Sequence, residues 1–209
     1  MTVKWFIIIL SFLTLSTQAF AYRDDGEETG DPFTYGALRL NPGYGYLGLQ
    51  NQDGTRAVFG GPILATEFDL VFSFTDINLA IGPFLHYSYS FQKNLKIENN
   101  VTQEVNKTDL IYGLKAYINP FFIGFGFGDT TLKMSESTGN DITVKSTQLG
   151  FTGGLRLFKL TREWNVTLEG WYKTSFLKKN TNPDLTNNTA AESLELYINF
   201  VWSPLFQLL

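Results

Sequence analysis

The sequence predicts an all-β fold, a closed antiparallel up-and-down transmembrane β-barrel of about eight strands. Three observations predict it. Behind an export signal, apolar and polar residues alternate with a period of two, which is the period of a strand with two unlike faces. The alternating segments are long enough for tilted strands to cross a bilayer, which takes about 9 to 11 residues. Short turns also alternate with long polar connections, as in outer-membrane barrels.

The export signal occupies residues 1–21. Lys4 precedes an apolar run, Trp5 to Leu15, and Ala19-Phe20-Ala21 supplies the small residues that a signal peptidase recognises. The run is shorter than the roughly 20 apolar residues that a membrane-spanning helix needs. We therefore expect a cleaved signal peptide, and a β-barrel domain over residues 33–209.

Residues 22–32 lie between the signal and the barrel. The segment is acidic and shows no apolar periodicity, which predicts a disordered acidic periplasmic arm. The whole chain has a net charge of −4 and no basic patch interleaved with aromatics, so nucleic-acid binding is not expected. With no cysteine and one histidine, the chain offers neither a disulfide framework nor a metal-ligand cluster, and we expect no metal and no cofactor.

The first strand, near residues 34–50, has the least regular pattern. Gly43, Gly45 and Gly48 interrupt it. Because glycine within a strand often marks a bulge, we expect a bulge or a register shift in this strand.

Each later strand carries large apolar residues on one side and small or polar residues on the other, a segregation that a helix would not produce. The apolar sides are Leu64, Phe68, Leu70, Phe72 and Phe74 in the second strand; Leu79, Ile81, Pro83, Leu85, Tyr87, Tyr89 and Phe91 in the third; Leu110, Tyr112, Leu114, Ala116 and Ile118 in the fourth; Phe121, Ile123, Phe125 and Phe127 in the fifth; Leu149, Phe151, Leu155 and Leu157 in the sixth; Trp164, Val166, Leu168, Tyr172 and Phe176 in the seventh; and Leu194, Leu196, Ile198, Phe200 and Trp202 in the eighth. Gly124, Gly126 and Gly128 alternate with the fifth set. We interpret them as small interior residues that leave room for Arg or Lys side chains opposite.

The connections alternate in predicted length. Tight turns are expected at residues 75–78, 119–120 and 160–163, and long polar loops at 51–62, 92–108, 134–146 and 178–192. Short turns would thus lie at one rim of the barrel and long loops at the other.

The charged residues indicate which face points inward. A water-soluble lipocalin-like barrel would alternate as well, but with its apolar side inside. The polar side of the strands carries equal numbers of basic and acidic residues together with the single histidine: Arg39, Lys115, Arg156, Lys173, Glu67, Asp69, Glu169, Glu195 and His86. A lone buried ion costs several kcal/mol, so a narrow lumen must pair its charges. We therefore predict that these residues form a charge network in the lumen and that the apolar side faces lipid.

Aromatic residues of the apolar side collect toward the strand ends. Tyr87, Tyr89, Tyr112 and Tyr172 are expected at the external rim, and Phe74, Phe121, Trp164 and Trp202 at the periplasmic rim. The alternative interpretation is ordinary core filling. A lipid-facing girdle fits the export signal and the uneven connections better.

The whole mature chain resembles the small outer-membrane β-barrel superfamily, which includes the transmembrane domain of outer-membrane protein A and the outer-membrane protein W and X families. Tyr197, Phe200 and Trp202 of the last strand are similar to the aromatic C-terminal insertion signal of such proteins, although the last residue is Leu209 instead of the usual aromatic. The resemblance implies a place in the bacterial outer membrane. It also implies contact with outer-membrane lipid and lipopolysaccharide, and insertion by the barrel-insertion machinery.

Three functions remain open. The leading one is a non-enzymatic barrel whose external loops serve envelope integrity, adhesion or recognition of an unidentified ligand. The second is a narrow channel for small or hydrophobic solutes. The third is a lipid A-modifying enzyme, because His86 and Ser88 share one face and lipid A deacylase barrels use a His-x-Ser pair; the Asn-Ala continuation of that family is missing here.

Overall fold

Eight strands form one closed ring. The computed structural model describes residues 33–51, 56–74, 79–95, 102–118, 120–136, 141–161, 163–176 and 188–203. The strands are β1 (Phe33–Asn51), β2 (Arg56–Phe74), β3 (Leu79–Asn94), β4 (Thr102–Ile118), β5 (Phe121–Glu136), β6 (Asp141–Lys159), β7 (Trp164–Phe176) and β8 (Asn188–Trp202). Each strand pairs antiparallel with the next, and β8 closes the ring against β1. The predicted fold class is therefore confirmed.

The predicted signal peptide (1–21) and acidic arm (22–32) lie outside the described residues, as does the end of the chain beyond residue 203. Within the part that the structure describes, no helix is long and apolar enough to cross a membrane.

The middle of the barrel is apolar outside and polar inside. On β3, Leu85 is 48% exposed, whereas its neighbours Phe84 and His86 are 3% and 0% exposed. The same alternation runs along the other strands, because successive side chains of a strand point to opposite faces. Large apolar side chains thus cover the outer surface, and the charged side chains of the strand centres are enclosed, except Asp129 of β5, which is exposed beside Leu110.

The two ends of the barrel differ. At the turn-side end, β2 is joined to β3, β4 to β5 and β6 to β7, and the predicted short turns lie there. At the loop-side end three of the four predicted long loops are wrong, because strands occupy most of residues 51–62, 92–108 and 134–146, whereas most of the segment 178–192 lies between β7 and β8. The connections left between strands are residues 52–55, 95–101, 137–140 and 177–187.

The strands run on into the predicted loop segments, and near the loop-side end the polarity of their two faces is reversed. There the interior holds an apolar cluster, which we call the loop-side plug: Leu47, Leu49, Phe59, Val105, Leu132, Met134, Val144 and Ala191. The outer face at this level is polar, with Lys133, Thr143 and Lys145 exposed. The alternation of period two continues, but the apolar residues now point inward and the polar residues outward. These segments therefore have the polar composition of loops although they form strands.

The register of β1 with β2 is unbroken from Phe33 to Gln50, so the predicted irregularity does not lie at the glycines. Against β8 the register shifts between Gln50 and Asn51, at the end of the strand. Its glycines make room inside instead. A Cβ on Gly43 would meet the Tyr197 ring at 2.6 Å, and one on Gly45 would meet the Ile63 side chain. A further register shift lies on β6, between Arg156 and Phe158.

Candidate functional site

The lumen holds two groups of buried ions, one above the other. The group nearer the turns, the turn-side cluster, comprises Arg39, Glu67, Asp69, Lys115 and Glu169. Arg39 Nε donates to Asp69 Oδ2 at 2.6 Å, and Lys115 Nζ donates to Glu169 Oε1 at 2.7 Å and also to Glu67. Strands from opposite sides of the ring thus meet through charge-assisted hydrogen bonds, the stronger kind.

The second group, the loop-side cluster, comprises Lys107, Asp109, Lys173 and Glu195. Each lysine bridges both carboxylates. Lys107 Nζ lies 2.6 Å from Asp109 Oδ2 and 2.9 Å from Glu195 Oε1, and Lys173 Nζ lies 2.9 Å and 2.6 Å from the same two residues. Thr130 Oγ1 donates to the remaining Asp109 oxygen at 2.8 Å. The four charges are therefore paired and largely hydrogen-bonded, which is what burial of ions requires.

Aromatic rings separate the two clusters. The His86 ring lies 4.7 Å from the Trp171 ring and 6.0 Å from the Tyr197 ring, between centroids. His86 Nδ1 is 3.0 Å from Glu67 Oε2, and Tyr197 donates to Glu195 Oε2 at 2.5 Å. The Trp171 ring is within cation–π distance of lysines from both clusters, Lys115 at 5.6 Å and Lys173 at 5.3 Å. Rings and ions together fill the lumen cross-section.

Most of the residues predicted for the lumen network are buried together. Arg39, Glu67, Asp69, His86, Lys115, Glu169, Lys173 and Glu195 all lie inside the barrel. Arg156 does not join them. It is exposed at the turn-side mouth, next to the register shift that the sequence pattern did not reveal.

Sequence analysis missed two members of the network, Lys107 and Asp109. Both fall within or directly beside the segment interpreted as a polar loop, where charged residues are expected in water. The available signal was their spacing: Val105, Lys107 and Asp109 follow one another at intervals of two, in phase with the interior side of β4. With them, the enclosed ions of the described strands number four cations and five carboxylates.

The predicted aromatic girdle lies on the outer face. Phe74, Tyr87, Tyr89, Tyr112, Phe121, Trp164 and Tyr172 are exposed there, and Trp202 is half-buried against Trp164. The tyrosine hydroxyls of two of them donate to polar groups: Tyr89 to Asn106 at 3.3 Å and Tyr172 to Glu192 at 3.3 Å. The hydroxyls thus stand where the apolar band gives way to the polar outer surface. Tyr44 and Tyr46 are exposed on the same face and were not predicted. We call the exposed tyrosines the tyrosine row: Tyr44, Tyr46, Tyr87, Tyr89, Tyr112 and Tyr172.

The two residues of the enzymatic hypothesis are enclosed. His86 and Ser88 are both buried, and their nearest polar partners are different carboxylates: Glu67 for the histidine and Asp109 for the serine, at 3.2 Å. No group of three or more potential ligand side chains is arranged for a metal ion among the residues that the structure covers.

Tyr197 differs from its expected place in the insertion signal. It is fully buried and points into the lumen, whereas Phe200 is exposed on the outer face. Of the three aromatic residues quoted for that signal, Phe200 and Trp202 are therefore the two that remain accessible on β8.

No protein-family model matches this sequence, and no curated protein is detectably similar to it. Solved structures with a similar fold include Neisserial surface protein A, with 16% identity over 79% of this chain and 97% of that chain at a TM-score of 0.48. They also include Ail, the attachment invasion locus protein of Yersinia pestis, with 14% identity over 80% and 98% at a TM-score of 0.46. Both are eight-stranded outer-membrane barrels, and the likeness concerns only the fold, which the strand ring establishes independently.

Proposed function

We propose that this chain is an integral barrel of a bacterial outer membrane, with its loop-side end outside the cell. The observation that carries the proposal is the distribution of polarity: the outer face of the strand centres is apolar, and their ions are enclosed. In a water-soluble barrel the same surface would expose a large contiguous apolar band, which soluble monomers avoid. A closed ring also satisfies strand hydrogen bonds without water, as a bilayer demands.

The first experiment tests membrane residence. The mature chain is refolded from urea, with and without phospholipid vesicles, and examined by heat-modifiable gel migration and sedimentation. We expect a heat-sensitive, vesicle-bound species with lipid and aggregation without it. A monodisperse folded protein in plain buffer would contradict the proposal.

We also propose that the barrel does not conduct, in contrast to the alternative of a narrow channel. At the level of the two ion clusters the lumen is filled by these ions and their rings, and the loop-side plug adds buried apolar side chains beyond them. An eight-stranded barrel has an interior just wide enough for side chains to fill. We expect no steady conductance in planar bilayers. A stable, ion-selective current would instead support the channel.

The non-enzymatic role is the third part of the proposal. His86 and Ser88 are closed off from lipid by the barrel wall and are held by two different carboxylates. A nucleophile needs its base within hydrogen-bond reach and a path for substrate. We expect lipid A from cells with and without the protein to have identical mass spectra. A mass difference that the substitution Ser88→Ala abolishes would overturn this part.

Surface recognition is therefore proposed to take place at the polar outer face beyond the tyrosine row and in the connections above it. On this face Arg56 pairs with Glu192 at 2.9 Å and Lys93 with Glu104 at 3.6 Å, while Lys133 and Lys145 are exposed on neighbouring strands. Cations at this height suit the phosphates of lipopolysaccharide.

The lipopolysaccharide proposal is tested with the variant Lys133→Gln/Lys145→Gln. We expect weaker retention of radiolabelled lipopolysaccharide by the detergent-purified barrel, and unchanged retention by Lys159→Gln at the opposite end. Equal retention by all three proteins would remove lipopolysaccharide from the proposed partners. Insertion by the barrel-insertion machinery stays a prediction of the aromatic last strand.

A further inference from the structure

The lumen is not filled at its turn-side end. A cavity of about 250 Å³ lies between the turn-side cluster and the mouth of the barrel. All eight strands contribute to its wall. Apolar side chains such as Val71, Phe122 and Val201 form part of the wall, and its two charged residues lie at different levels, Arg39 deep inside and Arg156 at the mouth.

Three buried side chains of the wall hold a polar atom that has no hydrogen-bond partner among the described residues. These atoms are Arg39 Nη1, Thr167 Oγ1 and Asn165 Oδ1, on side chains whose residues are 4%, 6% and 8% exposed. Arg39 Nη1 lies 3.9 Å from the nearest Glu169 oxygen, too far for a hydrogen bond. An unpaired buried polar group costs about 1–3 kcal/mol, which a partner bound in the cavity would relieve.

The charge of the wall limits what that partner is. Both ionic groups that line the cavity are guanidinium groups, and no carboxylate lines it among the residues that are described. Guanidinium groups bind planar carboxylates through paired hydrogen bonds. The apolar part of the wall offers a place for a short hydrocarbon portion.

We propose that this cavity binds a small amphipathic carboxylate, with its carboxylate between Arg39 and Arg156 and its apolar portion against Val71 and Phe122. Arg39 alone does not make the site selective for an anion. It already binds Asp69, and the cluster behind it has three carboxylates for two cations. The selectivity therefore rests on Arg156, which has no described ion pair and faces the mouth. This assigns a role to the one predicted lumen residue that lies outside the network.

The experiment compares hexanoate with its neutral isostere hexanamide on the full barrel, refolded in a non-ionic detergent, by saturation-transfer NMR and calorimetry. Three variants accompany the native chain. Arg156→Gln removes the charge at the mouth, Ala37→Leu fills the cavity from β1, and Lys159→Gln is the control, an exposed cation further along β6 that does not line the cavity. Heat-modifiable migration verifies that each variant is folded, and Val71→Phe replaces Ala37→Leu if the latter does not fold.

We expect saturable one-to-one binding of hexanoate to the native chain, about tenfold weaker binding to Arg156→Gln, none to the filled variant and native binding to Lys159→Gln. Hexanamide should bind at least about tenfold more weakly than hexanoate, as expected when a charge-assisted contact is lost. Equal binding of hexanamide, undiminished binding to the filled variant, or no binding of hexanoate would each overturn the proposal.

Discussion

Replacing Lys115 by methionine tests whether the turn-side cluster holds the barrel together. Lys115 is completely buried, donates to Glu169 and Glu67, and lies within cation–π distance of the Phe84 ring at 5.1 Å. Methionine fills a similar volume among these rings, so the main change is the loss of the charge. Arg39 then remains as the one cation of the cluster beside three carboxylates.

The expected magnitude follows from that geometry. Removing one partner of a buried pair leaves an uncompensated ion and costs about 3–5 kcal/mol. The assay is urea unfolding in phospholipid vesicles, followed by the fluorescence of the three tryptophans of the mature chain, Trp164, Trp171 and Trp202, and by heat-modifiable migration. We expect the free energy of unfolding of Lys115→Met to fall by this amount. The matched substitution Lys133→Met, at an exposed lysine of β5, should change it by less than about 0.5 kcal/mol.

A double-mutant cycle separates charge from packing. Glu169→Gln, combined with Lys115→Met, removes one of the carboxylates that the lysine had neutralised. We expect the double variant to be more stable than the sum of the single effects predicts, with a coupling free energy of about 1–3 kcal/mol. The reasoning is refuted if the single variant loses less than about 1 kcal/mol, far below the cost of an unpaired buried ion, or if the two substitutions are additive.

Two further predictions concern the inner and outer faces. Gly124→Val should lower the free energy of unfolding by about 1–3 kcal/mol, because even its Cβ would lie 2.6 Å from Lys115 Cγ. Gly153→Ala, whose Cβ would meet no atom closer than 3.7 Å, should be neutral in the same urea assay. An equal effect of the two substitutions would refute the steric argument. Leu114→Arg, on the outward face of β4, should lower vesicle-bound stability by about 2–4 kcal/mol, whereas Thr143→Arg beyond the tyrosine row should cost about 1 kcal/mol or less. Equal tolerance of both arginines would place the lipid boundary elsewhere.

The strand ring could be predicted because its signal is repeated over long segments. Leu194, Leu196 and Ile198 alternate with Glu195 and Tyr197, and no other regular structure places them on opposite sides. The predicted ends of the strands were wrong on the loop side, where the outer face of the same strand changes from apolar to polar. Leu132 points inward and Lys133 outward, which is the reverse of the pattern at the strand centres.

The composition of the network was predictable, whereas its pairing was not. Lys115 and Glu169 are 54 residues apart in sequence, and which residues meet depends on the stagger between strands around the whole ring. Arg156 was misplaced for a similar reason. The residues before it, Gly153 and Gly154, permit several backbone paths, and the register shift after it becomes visible only against β7. The cavity, which is a property of unfilled volume, has no sequence signal at all.

The enclosed ion pairs favour the correct register of the strands, because they form only when the right strands are paired in that register. Arg39 on β1 depends on carboxylates of β2 and β7, and the two lysines of the loop-side cluster need Glu195 on β8. A slip of one residue in any of these pairings would turn an ion toward lipid and strand its partner inside. A misaligned or unclosed sheet therefore leaves several buried ions without partners. Pairing of the first strand with the last closes the ring and completes all of these ion pairs.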